Sequence, residues 1–250
     1  MRRMFLSDVH LSTRHPERMD RFLEVLTREG PRLDELYILG DLFDYWIGPK
    51  HLDRPDYAPA LSALRELTLR RGVRVWFLAG NRDFYLTGFA TATGVRVAPA
   101  ATEHRLQVGG KRVYLCHGDY LEGRTDRGFR IQEFIRSPKF EQFFIRLPGW
   151  LAKAMAEFYR WVSGFKSPHP RHGRPEYHKL SDEALAEKFA DGADVIVAGH
   201  THEARPHGRR VDGREHVLYA LGDWSEGPSY LVEDDGRWQL YDHGRPVAEE

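Results

Sequence analysis

The chain has 250 residues, 41% hydrophobic and 30% charged, a balance that excludes a disordered or fibrous polypeptide and fits one large domain. Lysine plus arginine equals aspartate plus glutamate at 37 each, so no overall field draws nucleic acid or an anionic membrane to the whole molecule. One cysteine, Cys116, excludes an intrachain disulfide framework and fits a reducing compartment, whereas 13 histidines are more than this balance accounts for.

From the amino terminus, Asp8 and His10 interrupt the first apolar run before it reaches signal-peptide length. Later runs such as VIVAG at 195–199 fall far short of the roughly 18 residues that span a bilayer, so a cytoplasmic protein is expected. The recurring pattern is a short β-rich apolar run that breaks into polar residues: RMFLSDVH, LYILGDLFD, VRVWFLAGNRD, RVYLCHGD, DVIVAGHTH and VLYALGDW. Each predicts a buried strand that delivers functional groups at its carboxyl end. Between the early runs, Phe22, Leu23 and Leu26, then Leu61, Leu64 and Leu67, keep helical spacing. The order is β-α-β-α-β, hence an α/β layered fold. Beyond about residue 203, short runs separated by glycine turns predict a largely antiparallel sheet, and two packed sheets with helices outside are expected.

Residues 129–165 depart from this rhythm. They are dense in aromatics, from Phe129 and Phe134 through Trp150 to Phe165, and carry Arg130, Arg136, Lys139, Arg146, Lys153 and Arg160 against three glutamates. Pro138 and Pro148 divide the stretch into short helices, and SPHPRHGRP follows as a loop. The segment predicts a helical insertion at 124–175 within a single domain spanning 1–250. Its aromatic faces fit either acyl chains, with a basic rim for anionic headgroups, or simply a packed helical core.

The strand ends together supply Asp8, His10, Asp41, Asn81, His117, His200 and His202. Alternation along a strand puts Asp8 and His10 on one side, and His200 and His202 likewise. Imidazole, carboxylate and an amide carbonyl make a ligand set for manganese, iron or zinc. Seven ligands exceed one ion, and with Asp41 bridging they divide into two sets of four, as a two-metal site about 3.5–4 Å across requires. Histidines 15, 51, 104, 169, 172, 178, 216 and 243 are assigned to surface or loops, while His207 stands close to the site.

SDVHL, GDLFDYW, GNRDF, HGD and GHTH, in this order over residues 7–202, resemble the five blocks of calcineurin-like metallophosphoesterases. GDLFDYWIG, GNRDF and the later LGDW are similar to the branch that hydrolyses UDP-2,3-diacylglucosamine in lipid A biosynthesis. The resemblance implies a sandwich of two mixed β-sheets flanked by helices with a helical lid, and two Mn²⁺. It places one ion on Asp8, His10, Asp41 and His202 and the other on Asp41, Asn81, His117 and His200. It further implies a hydrolase with Asp41, Asn81, Arg82 and His117 in catalysis, and with Asn81, Arg82, Asp126 and His200 contacting substrate. The products would be UMP and 2,3-diacylglucosamine 1-phosphate, formed by attack of a dimetal-activated water. The partner is then a nucleotide-activated glycolipid, with peripheral contact to the cytoplasmic face of the inner membrane through 129–165. No nucleic acid or protein partner is expected.

Arg82 stands where many members of the superfamily carry a histidine that protonates an alkoxide. An arginine stays charged to about pH 12 and cannot act as that acid, but it can hold phosphate oxygens. A phosphate monoester, with a second pKa of about 6, leaves without a proton, so Arg82 favours cleavage of a P–O–P anhydride. Simple pairing with Asp83 is the alternative reading of this arginine. A dimetal phosphodiesterase or pyrophosphatase on another nucleotide-linked substrate, and a non-catalytic scaffold, are the competing functions. Phe129, Glu203 and the stretch HGRPEYHKL, with His172 or Lys179, depart from the family pattern and leave the sugar and its acyl groups open.

Overall fold

The computed structural model describes residues 1–98, 102–122, 180–211 and 213–248, together with 137, 140, 142, 143, 146, 147 and 151. Asp126, His172, Lys179 and almost all of the expected insertion at 124–175 lie outside the described residues.

In order, the elements are β1 (Arg2–Leu6), α1 (Pro16–Glu29), β2 (Glu35–Ile38), β3 (Trp46–Ile47), α2 (Ala58–Arg65), β4 (Arg74–Phe77), β5 (Asp83–Phe84), α3 (Thr87–Thr93), β6 (Arg96–Val97), β7 (Glu103–Val108) and β8 (Lys111–Cys116). They continue with α4 (Asp182–Ala190), β9 (Val195–His202), β10 (Arg205–Val211), β11 (Arg214–Gly222), β12 (Tyr230–Asp234), β13 (Arg237–Asp242) and β14 (Arg245–Pro246). One sheet has the order β14-β13-β12-β1-β2-β4-β6 and the other β10-β11-β9-β8-β7, while β3 and β5 form a small ribbon. Both large sheets are mixed: β1, β2, β4 and β6 run parallel, as do β8, β9 and β11, with antiparallel strands added outside them.

Alternation along the strands builds three apolar layers. Met4, Leu6, Leu36, Ile38, Val75 and Phe77 face α1, α2 and α3 together with Phe22, Leu26 and Leu64. The residues between them, Phe5, Tyr37, Leu39 and Leu78, turn the other way and meet Val113, Leu115, Val195, Val197, Tyr219 and Leu221 of the second sheet. On that sheet's outer face Tyr114, Cys116, Ile196 and Ala198 pack on Leu185 and Phe189 of α4. Strands buried on both faces read as continuous apolar runs, which is why β1, β2, β8 and β9 stand out in the sequence. Helix α4 begins where the Ser181 hydroxyl accepts the Ala184 N–H.

Two expectations need correction. The C-terminal strands form no sheet of their own: β10 and β11 extend the second sheet, and β12 to β14 extend the first, because β12 pairs antiparallel with β1. His51 and His216, expected at the surface or in loops, are buried at 6% and 5% exposure, His51 in the short turn after β3 and His216 within β11. The ring of His51 is walled by Tyr45, Trp46 and Tyr57, and its Nδ1 accepts the Ile47 N–H at 3.2 Å. His216 Nδ1 lies 2.9 Å from the Ala193 carbonyl oxygen. Among the described residues no helix is long and apolar enough to cross a membrane.

Burial, with the Arg54 charge beside it, pushes the His51 pKa down to about 4. The unfolded chain therefore binds a proton between about pH 6.5 and 4 that the folded chain does not, and this opposes folding as the pH falls. Urea unfolding should show the wild type losing about 2 kcal/mol more between pH 7 and pH 5 than a His51→Phe variant does. Equal pH dependence in the two proteins contradicts the assignment.

Candidate metal centre

The parallel strands of both sheets point their carboxyl ends to one edge of the sandwich, where ligands of open α/β sheets are expected. The first sheet delivers Asp8 after β1, Asp41 after β2 and Asn81 after β4, and the second delivers His117 after β8 and His200 and His202 at the end of β9. At these ends the backbone turns sharply. Asp8, His10, Asp41, His200 and His202 all have positive φ, between 51° and 70°. Left-handed backbone costs a non-glycine residue roughly 1–2 kcal/mol, and it persists where the surroundings over-determine it. Here Asp8 N–H donates to the Gly40 carbonyl and His10 N–H to that of Asp41, at 3.2 and 3.0 Å, so the two loops brace each other.

The donor atoms meet in two trios. Asp8 Oδ1 lies 3.4 Å from His202 Nε2 and 3.7 Å from His10 Nε2, and the two imidazole nitrogens are 3.5 Å apart. Three donors bound at about 2.1 Å to one tetrahedral ion stand roughly 3.4 Å apart, so this triangle has the size of a metal's coordination face. The second trio joins Asp8 to Asp41 and His117. His117 Nε2 is 3.8 Å from Asp41 Oδ1, and the His117 and His200 rings lie 5.1 Å apart. Asp8 is thus common to both trios; Asp41, the expected bridge, also brings its Oδ2 to 3.9 Å from His10 Nδ1.

The residues fit cations. Asp8 Oδ1 and His10 Nδ1 are buried without a hydrogen-bond partner among the described residues. The Asn81 carboxamide stands within reach of the same groups: turned with its nitrogen toward them, it donates to the Asp41 oxygens at 2.8 and 3.1 Å, and turned the other way it offers a hard oxygen to a cation.

Electrostatics agree with this crowding. Burial works against the Asp8 carboxylate, but His117, His202 and His10 around it hold its pKa well below the usual range. Burial raises Asp41, and burial with the nearby Arg82 and His202 charges keeps His10 neutral. His117, opposed by burial, is drawn up to about 9 by Asp41, Asp8 and Asp119. Without a cation the site balances its carboxylates with protons on imidazole, and metal binding displaces those protons.

Arg82 does not pair with Asp83. Its Nε is 3.3 Å from Asp41 Oδ2, its Nη1 donates to Asp44 Oδ1 at 3.0 Å, and its backbone N–H donates to Asp41 Oδ1 at 3.0 Å. Asp83 turns inward, where its Oδ2 accepts the N–H groups of Asp41 and Gly80 at 2.7 and 2.9 Å. Asp83 thereby ties the loop carrying Asp41 to the loop carrying Asn81, and burial followed by the charge of Asp41 raises its pKa to about 7. His207, on edge strand β10, is exposed and stands in neither trio.

The calcineurin-like phosphoesterase profile matches residues 1–204. The chain belongs to that family. A Stenotrophomonas maltophilia K279a protein named UDP-2,3-diacylglucosamine hydrolase is 35% identical over 249 residues, covering 96% of this chain and 98% of that protein. A protein of the same name from Aeromonas salmonicida A449 is 34% identical over 245 residues, covering 96% of this chain and 92% of that protein. One from Xanthomonas campestris pv. campestris ATCC 33913 is 35% identical over 246 residues, covering 94% and 97%. The donor groups of this phosphoesterase all lie within the span that the family profile matches.

Sequence reasoning missed the groups that hold the donors. Ser7 Oγ donates to Asp8 Oδ2 at 2.6 Å, and the His200 N–H donates to the same oxygen at 2.8 Å. Asp223 of LGDW lies with its Oδ2 3.8 Å from His202 Nδ1, a carboxylate behind an imidazole. The glycine before His200 also has a reason: a Cβ on Gly199 would collide with Ser7 Oγ and Asp8 Oδ2.

Gly199→Ala is accordingly expected to displace Asp8 and weaken divalent-cation binding, with Mn²⁺ as the probe ion, by about 10- to 100-fold in titration calorimetry. Unchanged Mn²⁺ affinity in a folded Gly199→Ala protein contradicts the placement of Asp8 in the metal centre.

Proposed function

We propose that the chain hydrolyses the pyrophosphate bond of UDP-2,3-diacylglucosamine, releasing UMP and 2,3-diacylglucosamine 1-phosphate. The observation that carries the reading is the pair of donor trios sharing the buried Asp8, within a chain aligned almost end to end with relatives named for hydrolysis of that substrate. We assign Asp8, His10, Asp41 and His202 to one Mn²⁺, and Asp41, Asn81, His117 and His200 to the other. Bound there, two divalent cations would acidify a water and neutralise charge on a phosphoryl oxygen.

The remaining chemistry falls to the protein. Water adds to the α-phosphorus of the nucleotide, and the bond from that phosphorus to the bridging oxygen breaks. The departing lipid monophosphate takes the electron pair and needs no acid. Arg82, set between Asp41 and Asp44 with a side chain 25% exposed, stands at the mouth of the centre. There its guanidinium suits a phosphate oxygen and the charge that grows on it. Asn81 and His200 complete the substrate contacts, and Asp126 is assigned to substrate from the sequence resemblance alone.

The acyl chains are assigned to 124–175, and 129–165 to contact with the cytoplasmic face of the inner membrane. Support comes from Phe140 and Leu147, which pack against Phe84, Tyr85 and Ile47 in the small ribbon next to Arg82. The Lys50 ammonium holds the Leu147 carbonyl oxygen at the same place. An apolar wall beside a phosphate-binding arginine is what a glycolipid with an anionic head requires.

Incubation with Mn²⁺ and UDP-2,3-diacylglucosamine should release UMP, and a chelator should stop the reaction. Absence of UMP, with brisk turnover of a water-soluble phosphodiester, would sink the lipid assignment and spare the metal one. Asp41→Ala should abolish turnover without unfolding the chain. Arg82→His should lower kcat on the anhydride by roughly 10²- to 10³-fold, the usual loss when a charge-stabilising donor is removed. An unchanged rate would refute the leaving-group argument.

A further inference from the structure

Two arginines lie at the mouth of the metal centre, and among the described residues they are partnered differently. Arg82 is engaged by Asp41 and Asp44. Arg18, in the first turns of α1, is near enough to Asp223, Asp44 and His10 for their charges to act on one another. Yet its guanidinium makes no hydrogen bond or ion pair among the described residues, and its Nε is buried without a partner. Burial lowers its pKa, the sign of a cation held partly out of water.

Its position is fixed by its neighbour three residues on. Arg21 Nη1 donates to the carbonyl oxygens of Trp224 and Ser225 at 2.8 and 2.9 Å, and the Phe22 and Trp224 rings meet edge to face 6.2 Å apart. These contacts pin α1 to the LGDW loop. Residues three apart share a helix face, so Arg18 is held beside Asp223 and, through it, beside His202. A guanidinium kept half out of water with no protein acceptor is costly unless a ligand supplies one.

We infer that Arg18 is a second phosphate-holding arginine of this site, taking oxygens of the phosphoryl group that the metal centre and Arg82 do not hold. The ligand class is a diphosphate, because a single phosphoryl group is already served by Arg82 and the cations. This inference rests on the proposed cleavage of a nucleoside diphosphate ester.

The test uses Mn²⁺-loaded wild type, Arg18→Gln and Arg18→Lys. Hydrolysis of bis(4-nitrophenyl) phosphate, which carries one phosphoryl group, is followed at saturating Mn²⁺ with UDP or UMP as competitive inhibitor. Arg18→Gln should raise the inhibition constant of UDP roughly 10- to 100-fold, the weight of a charge-assisted hydrogen bond, and leave that of UMP within about threefold. Arg18→Lys should recover part of the loss by keeping the charge without the fork. A fall in kcat/KM on UDP-2,3-diacylglucosamine by a like factor, with diester turnover retained, completes the expected pattern. An unchanged UDP constant in Arg18→Gln, or equal weakening of UDP and UMP, overturns the inference. If wild type releases no UMP from the glycolipid, the proposed function fails while the UDP-to-UMP comparison still judges Arg18.

Discussion

Two buried carboxylates with too few protons around them govern the rest of this structure. Asp8 and Asp41 are 0% and 2% exposed; imidazoles ring Asp8, and Asp41 lies among His10, His117, Arg82 and the Asn81 carboxamide. Buried charge of this kind persists only when paired or when it coordinates metal. The pairing on hand is incomplete: Arg82 reaches Asp41, but Asp8 has imidazoles, one hydroxyl and one backbone N–H. The fold is arranged to tolerate that deficit. Parallel strands converge on one edge, left-handed turns aim the side chains inward, and Asp83 laces two of the loops together.

The same deficit organises the surroundings. His10 stays neutral and free to donate a lone pair, whereas His117 holds a proton that a cation can displace. Around this interior lies a rim of charged groups, Arg82 with Asp44 and His202 with Asp223. The chain as a whole has zero net charge, so the pull on an anionic substrate is local and begins at that rim.

Much of this was legible in the sequence because strands buried on both faces must be apolar, and the sudden polar residues at their ends then have no core to serve. Asp8, His10, Asp41, Asn81, His117, His200 and His202 were readable on those grounds, and they do meet at one edge. What the sequence concealed depends on distant partners. Asp83 reads as a neighbour of Arg82, and only the fold turns it onto the Asp41 and Gly80 N–H groups. His51 and His216 read as surface or loop residues because imidazole is polar; aromatic walls and a carbonyl acceptor make their burial possible. The C-terminal strands announced themselves as strands, but a strand's sequence does not say which sheet edge is vacant, and β12 went to β1.

The centre straddles the two layers of the sandwich. Asp8, Asp41 and Asn81 ride on one sheet, and His117, His200 and His202 on the other. The spacing of the donors is thus a vernier for the slip of one sheet across the other. The gauge is set by the aromatic and branched residues between the layers, where Phe5 stacks on Tyr37 and Trp238, and Tyr219 on Trp238. Close-packed interiors transmit such displacements rather than absorb them. The geometry these donors offer to a cation is therefore set partly by residues that never approach it.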